Sequence, residues 1–168
     1  MHLAIDVYYY ESKAKAVGVL FNWCASDPNE VITTWCHDIA NYQSGQFYKR
    51  ELPCILALLE KINTKRIETI LVDGHVYVNN DGALGLGGYL FEALGGKIPV
   101  IGVAKRAFHQ TEEKVVPVLR GKSQNPLYVS AIGYDVQLAA QHIKQMQGDF
   151  RFPTILKILD QETRKNSG

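Results

Sequence analysis

The chain opens on an apolar run, Leu3-Ala4-Ile5-Asp6-Val7-Tyr8, which predicts a buried strand with one acid inside it. Two further apolar runs follow, Ala16 to Phe21 and Val31 to Cys36, with Asp27-Pro28 as the turn signal between them. Three strands joined by short connections predict an antiparallel meander. The period then changes. Leu52, Ile55, Leu56, Leu58, Leu59 and Ile62 recur at helical spacing, with Pro53 expected in a first helical turn, where a missing N–H is tolerated. Beyond them, strand-length apolar stretches at Ile67 to Val72, Ile98 to Val103 and Leu127 to Ile132 are interleaved with helical patterns. Those helices are expected at Ala83 to Leu94, Val136 to Gln147 (stopped by Gly148) and Thr154 to Arg164.

A meander followed by strands and helices in alternation suits an α/β fold: a ribonuclease H-like mixed sheet flanked by helices. Composition narrows the rest. At 168 residues, 46% hydrophobic and 21% charged, residues 1–168 are expected to form a single domain with its own core rather than a disordered chain. Lys and Arg number 18 against 17 Asp and Glu, a net charge of +1, which excludes a histone-like electrostatic grip on nucleic acid but leaves room for a basic groove on one face. The three cysteines, Cys24, Cys36 and Cys54, form no CxxC pair, so neither a zinc knuckle nor a disulfide framework is supported and a reducing cytoplasm is expected. The longest charge-free apolar run, Ala16 to Ser26, is strand-sized, and no membrane association is expected.

The acids carry the candidate chemistry. Asp6 shares a strand face with Ala4 and Tyr8, opposite Leu3, Ile5 and Val7. Such an acid either faces water on an edge strand or, if the strand is buried on both sides, needs a partner such as a divalent cation. Asp73 follows a second apolar strand, at the kind of carboxyl end where ligands gather in α/β sheets, although Asp73-Gly74 is equally a common turn dipeptide. Neighbouring parallel strands lie roughly 5 Å apart, so two acids ending two such strands could share one hard cation or hold two about 4 Å apart for in-line phosphoryl chemistry. Glu51 opens a helix after Tyr48-Lys49-Arg50, where an acid also answers the helix dipole. Asp160, on the last helix, stands four residues before Arg164 and would make an ordinary surface ion pair. Lys105 ends another strand and could meet a phosphate or orient a water; on spacing alone it is equally a surface lysine. Gly82, Gly85, Gly87 and Gly88 do not complete a dinucleotide fingerprint, since Leu90 stands where a third glycine is needed; close helix packing is the expectation.

Several of these residues lie in segments that together resemble the endonuclease V family, in order, from Asp6 to about Arg164. Ile5-Asp6-Val7-x-Tyr9 resembles its first metal-acid strand, and Tyr42 to Glu51 matches, without a gap, its wedge segment Tyr-x-Pro-Gly-x-x-x-x-Arg-Glu. Val72-Asp73-Gly74-His75 resembles its Asp-Gly-His-Gly loop. Pro99 to Lys105 is similar to its Pro-Thr-Ile-Gly-Val-Ala-Lys, and Arg151-Phe152-Pro153 through Asp160 keeps the spacing of its last helix. The chain departs at Ser44 (for the wedge proline), at Val76 (for a glycine) and at Asn79-Asn80-Asp81 (for His-Pro-Arg), changes that touch the base pocket more than the acids.

The resemblance implies a metal-dependent endonuclease acting on DNA or RNA near inosine-type bases, in DNA repair. It implies that Asp6 and Asp73 hold Mg²⁺ or Mn²⁺, that Glu51 and Asp160 complete the metal cluster, and that Lys105 meets the phosphate or orients the nucleophile. Tyr42, Gly45 and Phe47 would form the wedge, and Gly74 with His75 the base-side loop. An all-oxygen site favours Mg²⁺ or Mn²⁺ over zinc. The competing expectations are a nucleic-acid-binding module of the same fold without turnover, and a nuclease with another lesion or structure preference.

Overall fold

Alternation along the first strands puts one set of side chains on each face of a sheet, and the sheet is built accordingly. The structure is a computed structural model describing residues 1–37 and 48–166. Strands β1 (His2–Tyr9), β2 (Ala14–Phe21) and β3 (Glu30–Cys36) form the expected antiparallel meander, with Asp6 opposite Val17. Strand β4 (Thr69–Asp73) then adds parallel to β1, and β5 (Val100–Ala104) parallel to β4. Strands β6 (Val116–Val118) and β7 (Leu127–Ile132) close the other edge antiparallel, giving the order β3-β2-β1-β4-β5-β7-β6. The short β6 has no signal in the apolar pattern. It carries Pro117, which is tolerated because β6 is an edge strand.

Helices cover both faces. Leu3, Ile5, Ile70, Val72 and Val100 point to one side, where α1 (Tyr48–Leu59) and α2 (Leu86–Ala93) bring Ile55, Leu58 and Leu90. Ala4, Val17, Leu71, Ile101 and Val129 point to the other, where α3 (Val136–Gln145) and α4 (Thr154–Thr163) bring Ala139, Ile143, Ile155 and Leu159. Parallel strands buried on both faces read as unbroken apolar runs, which is why β4 and β5 were legible.

Several details differ from expectation, three of them for a visible physical reason. Pro53 lies inside α1 rather than in its first turn. The hydrogen bond it forgoes would have run to the Lys49 carbonyl, and both residues are exposed, where solvent can satisfy that carbonyl. Helix α2 begins three residues late because Gly85 is extended and Leu84 bridges to Tyr77. Gly87 and Gly88 then let α2 settle against Val76, the close packing expected of them. Strand β4 starts at Thr69 because Thr64–Arg66 form a 3-10 turn that Ile67 terminates.

Candidate active site

The site is set by strand register. Ile5 pairs with Val72, so Asp6 and Asp73 are the next residues on adjacent parallel strands, on the face that carries Ala4 and Leu71. Asp73 in turn pairs with Val103, and Lys105, two residues further, follows on the same side. Helix α4 crosses this face and closes the arrangement. Leu156, Lys157, Asp160 and Gln161 fall at helical spacing, and all four line a cleft of about 210 Å³ together with Asp6, Asp73, Lys105 and Phe152. Glu51 approaches from α1. It sits one turn before Cys54 and Ile55 on the helix's inner stripe, so the packing that buries them also buries Glu51, to 6% exposure.

Burial and mutual repulsion dominate the electrostatics. Burial, then the Asp73 carboxylate, pushes the Asp6 pKa up to about 7, against the opposing hydrogen bond from the Val7 N–H at 2.9 Å. Burial, then Asp6 and Asp73, pushes Glu51 up to about 9, with Arg50 acting the other way. Asp73 is exposed at the rim of the cleft, but the surrounding protein still withdraws water from its carboxylate and raises its pKa, with Lys105 opposing and Asp160 reinforcing the shift. Asp160 makes both contacts open to it: Arg164 Nε donates to its two oxygens at 3.2 and 3.1 Å, while the residue also lines the cleft.

The loop after β4 is braced rather than free. Gly102 lies under it; a Cβ there would stand 2.5 Å from the Gly74 carbonyl and 2.8 Å from Ser130 Oγ. Ser130 Oγ accepts the Val76 N–H at 3.0 Å, and the Gly74 N–H donates to the Val103 carbonyl at 3.1 Å. Gly74 itself, at φ +146°, has open space where a side chain would be. His75 turns inward: it is 4% exposed, stacks on Phe108 at 4.1 Å, and is not among the cleft-lining residues. Its Nε2–H donates to the Arg106 carbonyl at 2.8 Å, since a carbonyl can only accept; burial lowers its pKa, and Nδ1 is buried without a hydrogen-bond partner. Arg151 Nη2 donates to the carbonyls of Lys105 (2.6 Å) and Pro126 (2.8 Å), pinning the backbone that carries Lys105.

Of the residues singled out from sequence, Asp6, Asp73, Lys105 and Asp160 thus line one cleft, with Glu51 within electrostatic reach of two of them. Tyr42, Gly45 and Phe47 lie outside the described residues. Sequence reading did not single out Lys157 or Gln161 for the cleft. The signal was present in their i−3 and i+1 positions relative to Asp160, but only a docked helix says which of its faces meets the site. Among the described residues, no three His, Cys, Asp or Glu side chains already close around a single point. A Mg²⁺-type ion does not need such a cage. It keeps several waters and takes one or two carboxylates plus substrate phosphate, which the adjacent Asp6 and Asp73 fit in donor chemistry.

A mixed sheet in this order, with Asp6 and Asp73 on adjacent central strands and Asp160 brought over them by α4, is consistent with a ribonuclease H-like α/β fold. The endonuclease V family profile matches residues 3–161, and the chain belongs to that family. A search of curated protein sequences gave no match. Among solved structures it is similar to the catalytic domain of human endonuclease V, with a TM-score of 0.79 at 21% identity over 96% of this chain and 80% of that one. It is also similar to endonuclease V from Streptomyces avermitilis, with a TM-score of 0.78 at 24% identity over 97% and 79% of the two chains. A third is Ciona intestinalis endonuclease V in complex with a DNA containing an inosine followed by a ribo-adenosine, with a TM-score of 0.77 at 18% identity over 96% and 83%. No helix among the described residues is long and apolar enough to cross a membrane.

Proposed function

We propose that the protein is a metal-dependent endonuclease that hydrolyses a phosphodiester in nucleic acid beside an inosine-type base, as part of DNA repair. The observation that carries this reading is the convergence of Asp6, Asp73, Asp160 and Lys105 on one cleft at the carboxyl end of the central parallel strands. Family membership supports hydrolysis, and the inosine-containing DNA held by the Ciona relative supports the substrate class.

Asp6 and Asp73 would hold Mg²⁺ or Mn²⁺, with Glu51 and Asp160 completing the acidic shell. When bound, such an ion neutralises charge on the nonbridging oxygens and lowers the pKa of water. The chain's own groups do the rest. Lys105 offers an ammonium to the phosphate from the cleft wall, positioned by the Arg151 clamp on its carbonyl. Without the ion Asp6 keeps its proton up to about pH 7, so binding the ion would release it. The open side of Gly74 leaves room for a base to approach main-chain groups, and Tyr42, Gly45 and Phe47 would act as the strand-separating wedge.

The test is cleavage of end-labelled DNA and RNA strands containing one inosine, with Mg²⁺ or Mn²⁺, by the parent protein, Asp6→Ala and Asp73→Ala. Nicking near the inosine by the parent, lost in both variants, is the expected result. Activity that survives both substitutions excludes this site. Binding without cleavage under every condition would leave a nucleic-acid-binding module, and equal cleavage of undamaged or mismatched strands would leave a nuclease of another preference.

A further inference from the structure

The acidic cleft does not end at α4. A second groove continues from it, and Phe152 and Lys157 line both. Its walls are the turn at Gly121, Lys122 and Ser123 and the loop from Gly148 to Phe152. These walls are held firmly. The buried Arg120 guanidinium donates to the carbonyls of Met146, Gly148, Phe150 and Arg151. Gly121, at φ 60°, sits so tightly on the Asp149 carbonyl that a Cβ would collide with it.

The groove's chemistry is opposite to the cleft's. Lys122, Arg151 and Lys157 face Asp149 alone, and Lys105 adds a cation where the two spaces meet, in a chain whose net charge is only +1. Among the described residues, Lys105, Lys122 and Lys157 form no ion pair. Phe150 is 64% exposed, the most of any large apolar side chain described, and the Lys157 ammonium lies 4.1 Å from its ring centroid. An aromatic face in a positively charged groove is the arrangement that accepts a stacked base with its phosphates alongside. Arg151 serves differently, because its Nη2 is committed to the Lys105 and Pro126 carbonyls.

We propose that this groove binds the single-stranded nucleic-acid segment contiguous with the scissile phosphate, one base stacking on Phe150 and the neighbouring phosphates meeting Lys122 and Lys157. The inference rests on the nuclease reading above and adds a strand-binding site outside the acids. It gives an acidic centre, which by itself repels a polyanion, a neighbouring surface that retains one.

The test uses labelled single-stranded DNA without inosine, with Ca²⁺ present, and measures binding by anisotropy over a range of salt. Phe150→Ala is expected to weaken binding roughly tenfold. Phe150→Trp is expected to retain affinity and show emission that the strand quenches beyond any change in the parent. The double variant Lys122→Ala/Lys157→Ala is expected to lower the salt slope by about 1.4. Unchanged affinity and slope in the variants, unquenched emission in Phe150→Trp, or no binding by the parent would each overturn the groove. Undamaged DNA separates this from the nuclease reading. Quenching and weakened binding in a protein that cleaves nothing would keep the groove and remove the activity; inosine cleavage with unaltered strand binding in every groove variant would do the reverse.

Discussion

Asp6 is costly to the fold and useful to the site for the same reason. Its carboxylate is half-buried beside Asp73, so the folded chain holds a proton there up to about pH 7, whereas the unfolded chain releases it near the ordinary value of 3.8. The folded state therefore binds more protons across that interval, and stability falls as pH rises through it. Glu51 extends the window, from 4.5 to about 9, and Asp73 acts in the same direction. Metal-free protein is expected to show a melting temperature that declines between about pH 6.5 and about pH 9, since below that His2 and His75, whose pKa values burial lowers, oppose the acids; a flat profile over that interval would contradict the acidic cluster. Asp6→Asn removes the charge while keeping the shape. We expect it to raise the metal-free melting temperature at neutral pH by a few degrees, measured by calorimetry, while lowering nicking by at least about a hundredfold. Glu51 teaches a related lesson. Its place in the helix suggested a dipole contact, but its position on the α1 inner stripe decided its burial.

At the scale of elements, the site depends on how loops are seated on strands. The β4 loop rests on Gly102, whose missing Cβ leaves room for the Gly74 carbonyl and the Ser130 hydroxyl. Gly102→Ala is expected to cost about 1–3 kcal/mol of stability in denaturant titration. It should also reduce activity more than that loss explains, because Asp73 and Gly74 move with the loop. The segment after α3 depends instead on one cation. Arg120→Ala would leave the carbonyls of Met146, Gly148, Phe150 and Arg151 without their shared donor and is expected to cost about 3 kcal/mol by the same measurement. An exposed lysine such as Lys49, changed to Ala, should cost almost nothing by comparison.

For the molecule as a whole, three carboxylates gathered in one cleft oppose folding until a cation joins them. Divalent ions that bind only the folded chain stabilise it by linkage, about 2.7 kcal/mol at a hundred times the dissociation constant. Mg²⁺ or Mn²⁺ at millimolar levels is therefore expected to raise the melting temperature and flatten its pH dependence. Asp6→Asn should lose most of that response. A melting temperature indifferent to both ions would argue against Asp6 and Asp73 as their holders.

Local pattern was enough to locate the central strands and most helices, because strands buried on both faces are continuously apolar and helices keep one apolar stripe. It was enough, too, to draw attention to Asp6 and Asp73, which stand inside or at the end of apolar strands, whereas Lys105 was equally a surface lysine on spacing and Glu51 and Asp160 stood out only through the resemblance to endonuclease V. What it could not supply was anything that depends on which strands are neighbours. Only the parallel pairing of β1 with β4 puts Asp6 beside Asp73, and only the docking angle of α4 turns Lys157 and Gln161 toward them. The edge strand β6 and the basic groove belong with these. Their residues are far apart in the chain and carry no periodic signal, so the tertiary structure alone brings Lys122 near Phe150 and joins both to the cleft.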